Sequence, residues 1–324
     1  MQIFDAEATR AALPLDRLVP ALRDIFAEGA EVPRRHVHEL AVPGAQAVTS
    51  LLMPAWQPGG LYAVKVVNVA TGNAARGLPG VHASVLLHDA STGRPLALLD
   101  GDVITARRTA AASALAASFL ARADARRLLV VGAGRVAALL PAAHRTVRPI
   151  GPVEVWARRP GAAAALARTL RDEGFDAVPT ADLAAACARA DIVSCATLAS
   201  EPLVRGRWLA PGSHLDLIGS FTPAMREADD DCLRGAALYA DTDEALAKSG
   251  DLAGPLGRGV IGPADLRGTL AALCRGEAPG RRDAVGRTVF KSVGNAIEDL
   301  AAAALVWRAA QPPAGQPALR RAPA

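Results

Sequence analysis

The sequence predicts an α/β fold, a doubly wound parallel sheet joined to a second region of α+β type. Three observations lead to this prediction. Strand-like and helix-like segments alternate from residue 128 to about residue 240, β-rich runs without intervening helices precede them, and a glycine turn follows the apolar run 128–131. Such alternation of strands and helices is typical of parallel sheets. The 324 residues are enough for two domains.

The first hundred residues are predicted to form the α+β region. Apolar residues at helical spacing indicate a helix over 5–30, which ends before Pro33. A turn is expected at Ser91-Thr92-Gly93. Runs rich in β-branched residues predict antiparallel strands over 47–53, 61–69, 81–87 and 96–99. A helix of small residues over 109–120 then leads to the parallel sheet.

The region after residue 128 is predicted to supply the parallel sheet. Short apolar runs predict its strands over 128–131, 153–156, 177–178, 192–195, 214–218 and 238–240. Helices are expected over 162–171, 183–188 and 296–309. Pro141 lies in the helix that should follow the first of these strands, and its missing N–H is expected to kink that helix. The proline-rich tail, residues 313–324, is predicted to be disordered.

Composition argues against several classes of protein. No run reaches the roughly 18–20 apolar residues of a membrane-spanning helix. The N-terminal segment lacks a basic stretch followed by an apolar core, and the four cysteines form no CxxC pair, so we expect a cytoplasmic protein with reduced thiols. The net charge of +4 comes from scattered arginines, which suits anionic small molecules better than nucleic acid. No spacing of ligands predicts a metal site.

The glycine turn predicts a dinucleotide site. The run Leu128–Val131 indicates a strand buried on both faces, and Gly132-Ala133-Gly134-Arg135-Val136-Ala137 follows it and opens a helix. Gly132 permits a tight turn, and Gly134 lets backbone N–H groups approach a pyrophosphate at the positively polarised helix N-terminus. We therefore predict a Rossmann-type domain. Its phosphate turn would be formed by Gly132, Ala133, Gly134, Arg135 and Val136.

The end of the next strand indicates which dinucleotide binds. An acidic residue there would accept hydrogen bonds from the adenosine ribose, but the strand ends in Trp156-Ala157-Arg158-Arg159. The two guanidinium groups suit a 2′-phosphate. We predict that NADP(H) is preferred, with NAD(H) possible, and that Ala157, Arg158 and Arg159 face the ribose. The alternative is an ordinary solvated basic turn.

Several motifs agree, in order along the chain, with one known family. The longest is Asp100-Gly101-Asp102-Val103-Ile104-Thr105-Ala106-Arg107-Arg108-Thr109-Ala110-Ala111. Others are Met53-Pro54-Ala55, Lys65-Val66-Val67-Asn68, Thr197-Leu198-Ala199-Ser200-Glu201-Pro202, and Val289-Phe290-Lys291-Ser292-Val293-Gly294 with Glu298-Asp299. From residue 1 to about residue 310 the chain resembles the ornithine cyclodeaminase/mu-crystallin family. It is more similar to the mu-crystallin (ketimine reductase) and alanine dehydrogenase branch of that family.

The resemblance implies a two-domain homodimer that binds an amino-acid or imino-acid substrate between its domains. A substrate-binding and dimerisation domain would comprise residues 1–108 and 289–312. The Rossmann domain would comprise residues 109–288.

The resemblance also assigns candidate substrate residues. Arg35 and Arg108 would hold the substrate carboxylate, and Lys65 would contact the substrate and donate a proton to its imine nitrogen. Arg34 is an alternative to Arg35, because neighbouring residues of an extended segment alternate faces. Lys65 also stands out by itself, since an unpaired lysine within an apolar run is costly.

Further residues are carried over as neighbours of the nicotinamide. Several of them follow predicted strands, where open α/β sheets bind ligands. These residues are Thr109, Ala196, Thr197, Leu198, Leu217, Gly219 and Ser292.

Two positions depart from the pattern of true ornithine cyclodeaminases. Phe221 replaces the acid that those lyases use after the glycine near the fifth strand of the sheet, and Leu51 replaces the glutamate that holds the distal amine of ornithine. A phenyl ring is no base, and leucine cannot pair with an ammonium group. We therefore expect an NAD(P)H-dependent oxidoreductase that reduces a small, cyclic α-imino acid or acts as an amino-acid dehydrogenase. The alternatives are an ornithine cyclodeaminase and a non-catalytic NADP-binding ligand carrier.

Overall fold

The computed structural model describes residues 1–311, except for the side chains of Thr71 and Ala74. The tail predicted to be disordered, 313–324, lies outside the described residues. The strands are β1 (Gln2–Phe4), β2 (His36–Leu40), β3 (Val48–Trp56), β4 (Leu61–Val69), β5 (Val81–Asp89), β6 (Pro95–Asp100), β7 (Leu128–Val131), β8 (Pro152–Trp156), β9 (Asp176–Pro179), β10 (Ile192–Cys195), β11 (His214–Leu217), β12 (Ala237–Ala240), β13 (Leu266–Thr269) and β14 (Thr288–Lys291). The helices are α1 (Ala6–Ala11), α2 (Leu15–Glu28), α3 (Gly101–Leu120), α4 (Arg135–Arg145), α5 (Pro160–Asp172), α6 (Leu183–Arg189), α7 (Ala245–Lys248), α8 (Gly250–Gly257), α9 (Leu270–Cys274) and α10 (Ala296–Ala309).

The N-terminal region forms a six-stranded sheet in the order β1-β6-β5-β4-β3-β2. Strands β2 to β6 pair antiparallel with their neighbours, and β1 pairs parallel to β6. In β4 the alternate residues Ala63, Lys65 and Val67 are buried, as expected for a strand that packs one face against a core. Helices α3 and α10 cover the buried face, and α2 packs against these two helices. The α+β prediction is therefore confirmed.

The second sheet has eight strands in the order β13-β12-β14-β11-β10-β7-β8-β9, and every neighbouring pair is parallel. Strand β7 is buried throughout, and its residues alternate between the two apolar layers on either side of the sheet. From β7 the chain first runs outward through β8 and β9, then returns to β10 on the other side. This reversal places a crevice at the carboxyl ends of β7 and β10, where doubly wound sheets bind ligands.

Two alanine-rich helices, α3 and α10, lie in the interior. They are buried around most of their circumference, which small side chains permit because helix axes can then approach closely. Helix α3 packs against strands of both sheets and connects them. A polar side chain on the buried part of either helix is thereby placed in a dry environment.

The structure corrects one expected element and leaves two other expectations open. The helix predicted over 5–30 is two helices, because Pro14, extended at φ −63° and ψ 140°, separates α1 from α2. Pro141 lies inside α4, and the kink expected there stays a prediction. The expected domain boundaries at 109 and 289 also stay a prediction; these two residues lie in α3 and in β14, which is a strand of the parallel sheet. None of the helices described between residues 1 and 311 has the length and apolarity to cross a bilayer.

Candidate active site

The turn after β7 has the geometry that its glycines predict. Gly132 has φ +127°, and its N–H donates to the carbonyl of Trp156 at 2.8 Å. A Cβ at this position would lie 2.5 Å from the carbonyl oxygen of Ala196. A side chain at this position would therefore force an unfavourable backbone conformation and would also collide with the residue that follows β10.

Gly134 serves a different purpose. It is the N-cap of α4, with φ −90°, and a Cβ added there would meet no atom within 4 Å. Packing and backbone conformation thus leave this position free to carry a side chain, and the space in front of it is open. Open space at a helix N-terminus suits an anionic group. Beside it, the largely exposed Arg135 forms an ion pair with Asp102 at 3.2 Å.

A buried carboxylate joins the next two strand ends. Glu227 accepts hydrogen bonds from the N–H and hydroxyl of Thr197, at 2.7 and 2.8 Å, and from the N–H of Gly219 at 2.6 Å. A Cβ on Gly219 would collide with the Thr197 carbonyl. Burial raises the pKa of Glu227 to about 7, against the opposing effect of Lys291. Sequence reasoning missed Glu227, because it lies in a loop without a recognisable pattern.

Two further predicted cofactor residues, Leu217 and Ser292, lie at the same edge of the sheet. Leu217 ends β11, and its carbonyl accepts the N–H of Ser292 at 3.1 Å, which places Ser292 beside it. Thr109 directly follows Arg108 on α3, and its hydroxyl donates to the Thr105 carbonyl. Two apolar side chains near this edge are exposed, Leu198 at 74% and Phe221 at 46%. Exposed apolar groups beside a crevice suit contact with a ligand.

The end of β8 carries exposed positive charge. Arg158 and Arg159 follow Ala157, and both side chains are exposed. Within residues 1–311, neither has an ion-pair partner. Exposed guanidinium groups can pair with anionic groups of a ligand.

The predicted substrate cations form a buried cluster with two acids of α10. Lys65 Nζ lies 2.8 Å from Asp299 Oδ1, and Arg108 Nε donates to the same oxygen at 3.0 Å. Arg108 Nη1 donates to Glu298 Oε2 at 2.6 Å. All four side chains are buried. We call these four residues the substrate-side cluster.

The surroundings shift the pKa values of this cluster. Burial lowers the pKa of Lys65 to about 8; Arg108 adds to the decrease and Asp299 opposes it. Burial alone would lower the pKa of Arg108, but Asp299 and Glu298 raise it overall. Burial raises the pKa of Glu298 to about 7 although Arg108 acts against the increase. Perturbed groups gathered at one place are typical of functional sites.

A turn after β14 connects this cluster to a cavity. Arg35 Nη2 donates to the carbonyl of Gly294 at 2.7 Å, and Asp241 accepts the N–H of Gly294 at 2.7 Å. Gly294 has φ +81°, and a Cβ there would lie 3.1 Å from Arg108 Nη2. Glycine at this position lets the guanidinium group approach the turn.

The cavity has a volume of about 320 Å³. Its lining includes two arginines and two acids, and the N-terminus of α10 completes it: Val32, Pro33, Arg34, Arg35, Met53, Thr242, Asp243, Glu244, Gly294, Asn295 and Ala296. Arg34 is exposed, whereas Arg35 is partly buried and reaches Gly294, so the geometry favours Arg35.

Sequence reasoning noticed Glu298 and Asp299 as part of a motif but gave them no role. Two adjacent acids in an otherwise apolar helix are a signal of buried charge. Their partners are 190 and 234 residues away in the chain, so spacing could not identify them. As far as residues 1–311 show, no three His, Cys, Asp or Glu side chains are arranged to hold a metal ion.

Comparison with known proteins agrees with this geometry. The chain is 42% identical over 292 residues to a Delta(1)-pyrroline-2-carboxylate reductase of Paracoccus denitrificans, covering 90% of this chain and 91% of the relative. It is 35% identical over 258 residues to the ketimine reductase mu-crystallin of Mus musculus, covering 79% of each. The solved structure of the Thermococcus litoralis Delta(1)-pyrroline-2-carboxylate reductase in complex with NADH and L-proline superposes with a TM-score of 0.89 at 34% identity, covering 95% of this chain and 97% of that one.

A sequence model of a protein family also matches this chain. It covers residues 15–312, nearly the entire chain. The chain therefore belongs to the ornithine cyclodeaminase/mu-crystallin family.

Proposed function

We propose that the protein is an NAD(P)H-dependent reductase that converts a small cyclic α-imino acid into the corresponding amino acid. The observation that carries this proposal is the buried pair Lys65 and Arg108, tied to α10 beside a cavity that Arg35 reaches. Its relatives include reductases of Delta(1)-pyrroline-2-carboxylate, which is the substrate we propose to test first.

The substrate carboxylate is held by arginine. Arg108 uses Nε and one hydrogen of Nη1 for the acids of α10, which leaves the hydrogens of Nη2 and the second hydrogen of Nη1 for a ligand. This edge of the guanidinium group is the one that approaches Gly294, beside the cavity. Arg35 and the N-terminus of α10 add positive potential on the same side, and Asp243 and Glu244 of the cavity wall act against it. A carboxylate fits this arrangement in a bidentate manner.

Lys65 supplies the proton. When bound, the reduced nicotinamide supplies a hydride to the imine carbon. The imine nitrogen then needs one proton, and the Lys65 ammonium is the donor, after which bulk water protonates Lys65 again. A lysine pKa near 8 suits this task, because the group is mostly protonated at neutral pH and still gives up its proton readily.

The cofactor lies along the carboxyl edge of the parallel sheet. We propose that the pyrophosphate lies at Gly132, Ala133, Gly134, Arg135 and Val136. The nicotinamide lies against the residues named above as its neighbours, which are Thr109, Ala196, Thr197, Leu198, Leu217, Gly219 and Ser292. Glu227 supports this proposal, because it holds two of the strand ends in one fixed arrangement.

The test of the main proposal is a direct assay. Purified protein is incubated with NADPH and Delta(1)-pyrroline-2-carboxylate, absorbance of the reduced nicotinamide is followed, and L-proline is quantified. We expect equal consumption of NADPH and formation of proline. Proline and ammonia from ornithine, without turnover of the imine, would instead identify a lyase. Nucleotide binding without either reaction would identify a carrier.

We further propose that NADP(H) is preferred over NAD(H). Arg158 and Arg159 follow the end of β8, where we expect the adenosine ribose to bind, and they would contact its 2′-phosphate. Removing either guanidinium group should lower the affinity for NADPH by about 10–100-fold, because a charged hydrogen bond is lost. The affinity for NADH should stay nearly unchanged. Titration of Arg158→Ala and Arg159→Ala with both nucleotides measures this. Arg168→Ala, an exposed arginine on α5, is the matched control. Equal losses for NADPH and NADH would refute the preference.

We also propose a cytoplasmic homodimer. All four cysteines are free thiols in the structure, which suits a reducing compartment. Strand β2 is exposed throughout and carries Val37 and Leu40 at the edge of the six-stranded sheet, a surface that dimerisation could cover. Light scattering after gel filtration gives the oligomeric mass, and a monomer at micromolar concentration would contradict the dimer.

A further inference from the structure

We propose that Asp299 is a positioning residue for this reaction, which holds both substrate-facing cations in place and keeps Lys65 protonated at neutral pH. The inference rests on the proposed function, since it assigns a role within the same site. Nothing in the family resemblance gave Asp299 a task. The structure does so through its contacts.

Asp299 bridges two cations from different parts of the fold. Its Oδ1 accepts hydrogen bonds from Lys65 Nζ on β4 and Arg108 Nε on α3, at 2.8 and 3.0 Å, and its Oδ2 lies 2.8 Å from Lys65 Nζ. Asp299 itself lies in the first turn of α10, where a carboxylate is favoured. One side chain thus fixes the distance between the proposed proton donor and the proposed carboxylate clamp.

The charges around Lys65 explain why a carboxylate is needed. Lys65 is fully buried, and Arg108 beside it disfavours a second positive charge. Asp299 provides the strongest opposing interaction and Glu298 a weaker one. Asp241 acts on Arg108 from the far side. Without Asp299, burial and Arg108 would favour the neutral form of Lys65. A neutral amine is too weak an acid to protonate the imine nitrogen.

Glu298 offers a matched comparison. It lies next to Asp299 on the same helix turn, is equally buried, and contacts Arg108 through Nη1 but not Lys65. Replacing Glu298 by glutamine removes one carboxylate charge from the cluster and leaves the Lys65–Asp299 contact intact. A role specific to Asp299 therefore predicts different pH profiles for the two variants.

The experiment compares kcat/KM against pH for the wild type, Asp299→Asn and Glu298→Gln. The wild-type rate should fall as pH rises through about 8, where Lys65 loses its proton. In Asp299→Asn this decline should move by about 1–3 pH units to lower pH, with activity at pH 7.5 reduced at least about tenfold and partly recovered near pH 6. In Glu298→Gln the decline should stay within about half a unit of the wild type. Matching profiles for Asp299→Asn and the wild type would overturn the assignment.

A second measurement covers the case in which Asp299→Asn does not fold. The chain contains only three lysines, Lys65, Lys248 and Lys291, so selective lysine labelling gives three side-chain NMR signals. The Lys65 signal is assigned with Lys65→Arg. In the wild type it should titrate near pH 8, and a midpoint below pH 7 would overturn the proposal. A wild type that folds but does not reduce the imine refutes the proposed function instead, so the two failures are distinguishable.

Discussion

Two groups of buried ionisable side chains are both joined to α3, one through Arg108 and the other through Ser113, and they are built in opposite ways. In the substrate-side cluster, Lys65 and Arg108 pair with acidic side chains. In the sheet-side cluster, which comprises His144, Asp216, Glu227, Asp251 and Lys291, the carboxylates mainly accept hydrogen bonds from backbone N–H groups and hydroxyls.

The sheet-side cluster ties loops together. Asp251 accepts the N–H groups of Glu227 and Ala228 at 2.8 and 3.1 Å, and its other oxygen lies 3.4 Å from Lys291 Nζ. Glu227 in turn holds the strand ends at Thr197 and Gly219. The carboxylate oxygens of Glu227 and Asp251 thus accept hydrogen bonds from groups of the protein. The cluster therefore fixes the shape of the cofactor edge.

The cations of the substrate-side cluster have N–H groups that are available to a ligand. Arg108 retains N–H donors that no protein group takes up among the described residues, and Lys65 carries a proton that it can release. The comparison teaches that burial alone does not identify catalytic charge. What differs is the use of the charged groups: the carboxylates of the sheet-side cluster accept hydrogen bonds from protein N–H and hydroxyl groups, whereas Arg108 and Lys65 face acids and keep N–H groups for a ligand. The predictions below start from this difference.

The largest effect is expected for Lys65→Met. Loss of the proton donor should lower kcat/KM for the imine by about 10²–10⁴-fold, the usual contribution of general acid catalysis, while NADPH still binds. Steady-state kinetics and fluorescence titration of NADPH measure the two quantities. Arg168→Met, at an exposed arginine on α5, serves as the control and should retain activity. Reduction of the imine at the wild-type rate by Lys65→Met would remove the distinction between the clusters.

Some residues of the two clusters and of the glycine turn could be predicted from the sequence, and others could not. Lys65 could be found because a lysine in the apolar run of β4 is unusual, and Gly132 because the turn requires a positive φ. Both signals are local. Glu227 and Asp299 depend on contacts between segments 30 and 234 residues apart, which periodicity cannot encode. For the same reason the strand order could be inferred from alternation only in part, and the position of β14 between β11 and β12 was not predicted.

A second prediction concerns His144 in the sheet-side cluster. Its side chain is fully buried, its two ring nitrogens have no hydrogen-bond partner among residues 1–311, and burial, with Arg148, lowers its pKa to about 4. The folded state therefore favours neutral His144. The stability from this group is complete above the ordinary pKa of 6.5 and is lost as pH falls to about 4, a change of about 3 kcal/mol.

His144→Leu isolates that contribution. The difference in unfolding free energy between variant and wild type should shift in favour of the variant by about 3 kcal/mol from pH 7 to pH 4, as measured by urea denaturation. Asp216 and Glu227 act in the opposite direction, because burial raises their pKa values to about 6 and 7, so their contributions are lost as pH rises. They are present in both proteins and cancel in the difference. The exposed His82 gives the matched control, His82→Leu. A difference that does not change with pH would contradict a neutral buried His144.

The smallest effect is expected for Glu227→Gln, and it tests whether the sheet-side cluster acts through shape. The amide has one acceptor oxygen, so at least one of the bonds to Thr197 and Gly219 is lost, at a cost of about 1–3 kcal/mol in unfolding free energy. NADPH affinity should fall by about tenfold or less, because the loops at the nicotinamide edge become less fixed. The decline of kcat/KM near pH 8 should remain where it is, since Lys65 and Asp299 are untouched. Thermal denaturation, NADPH titration and the pH profile together give the answer. A shifted pH profile would show that Glu227 takes part in proton transfer, and the separation between a cluster that shapes the site and a cluster that reacts would then be wrong.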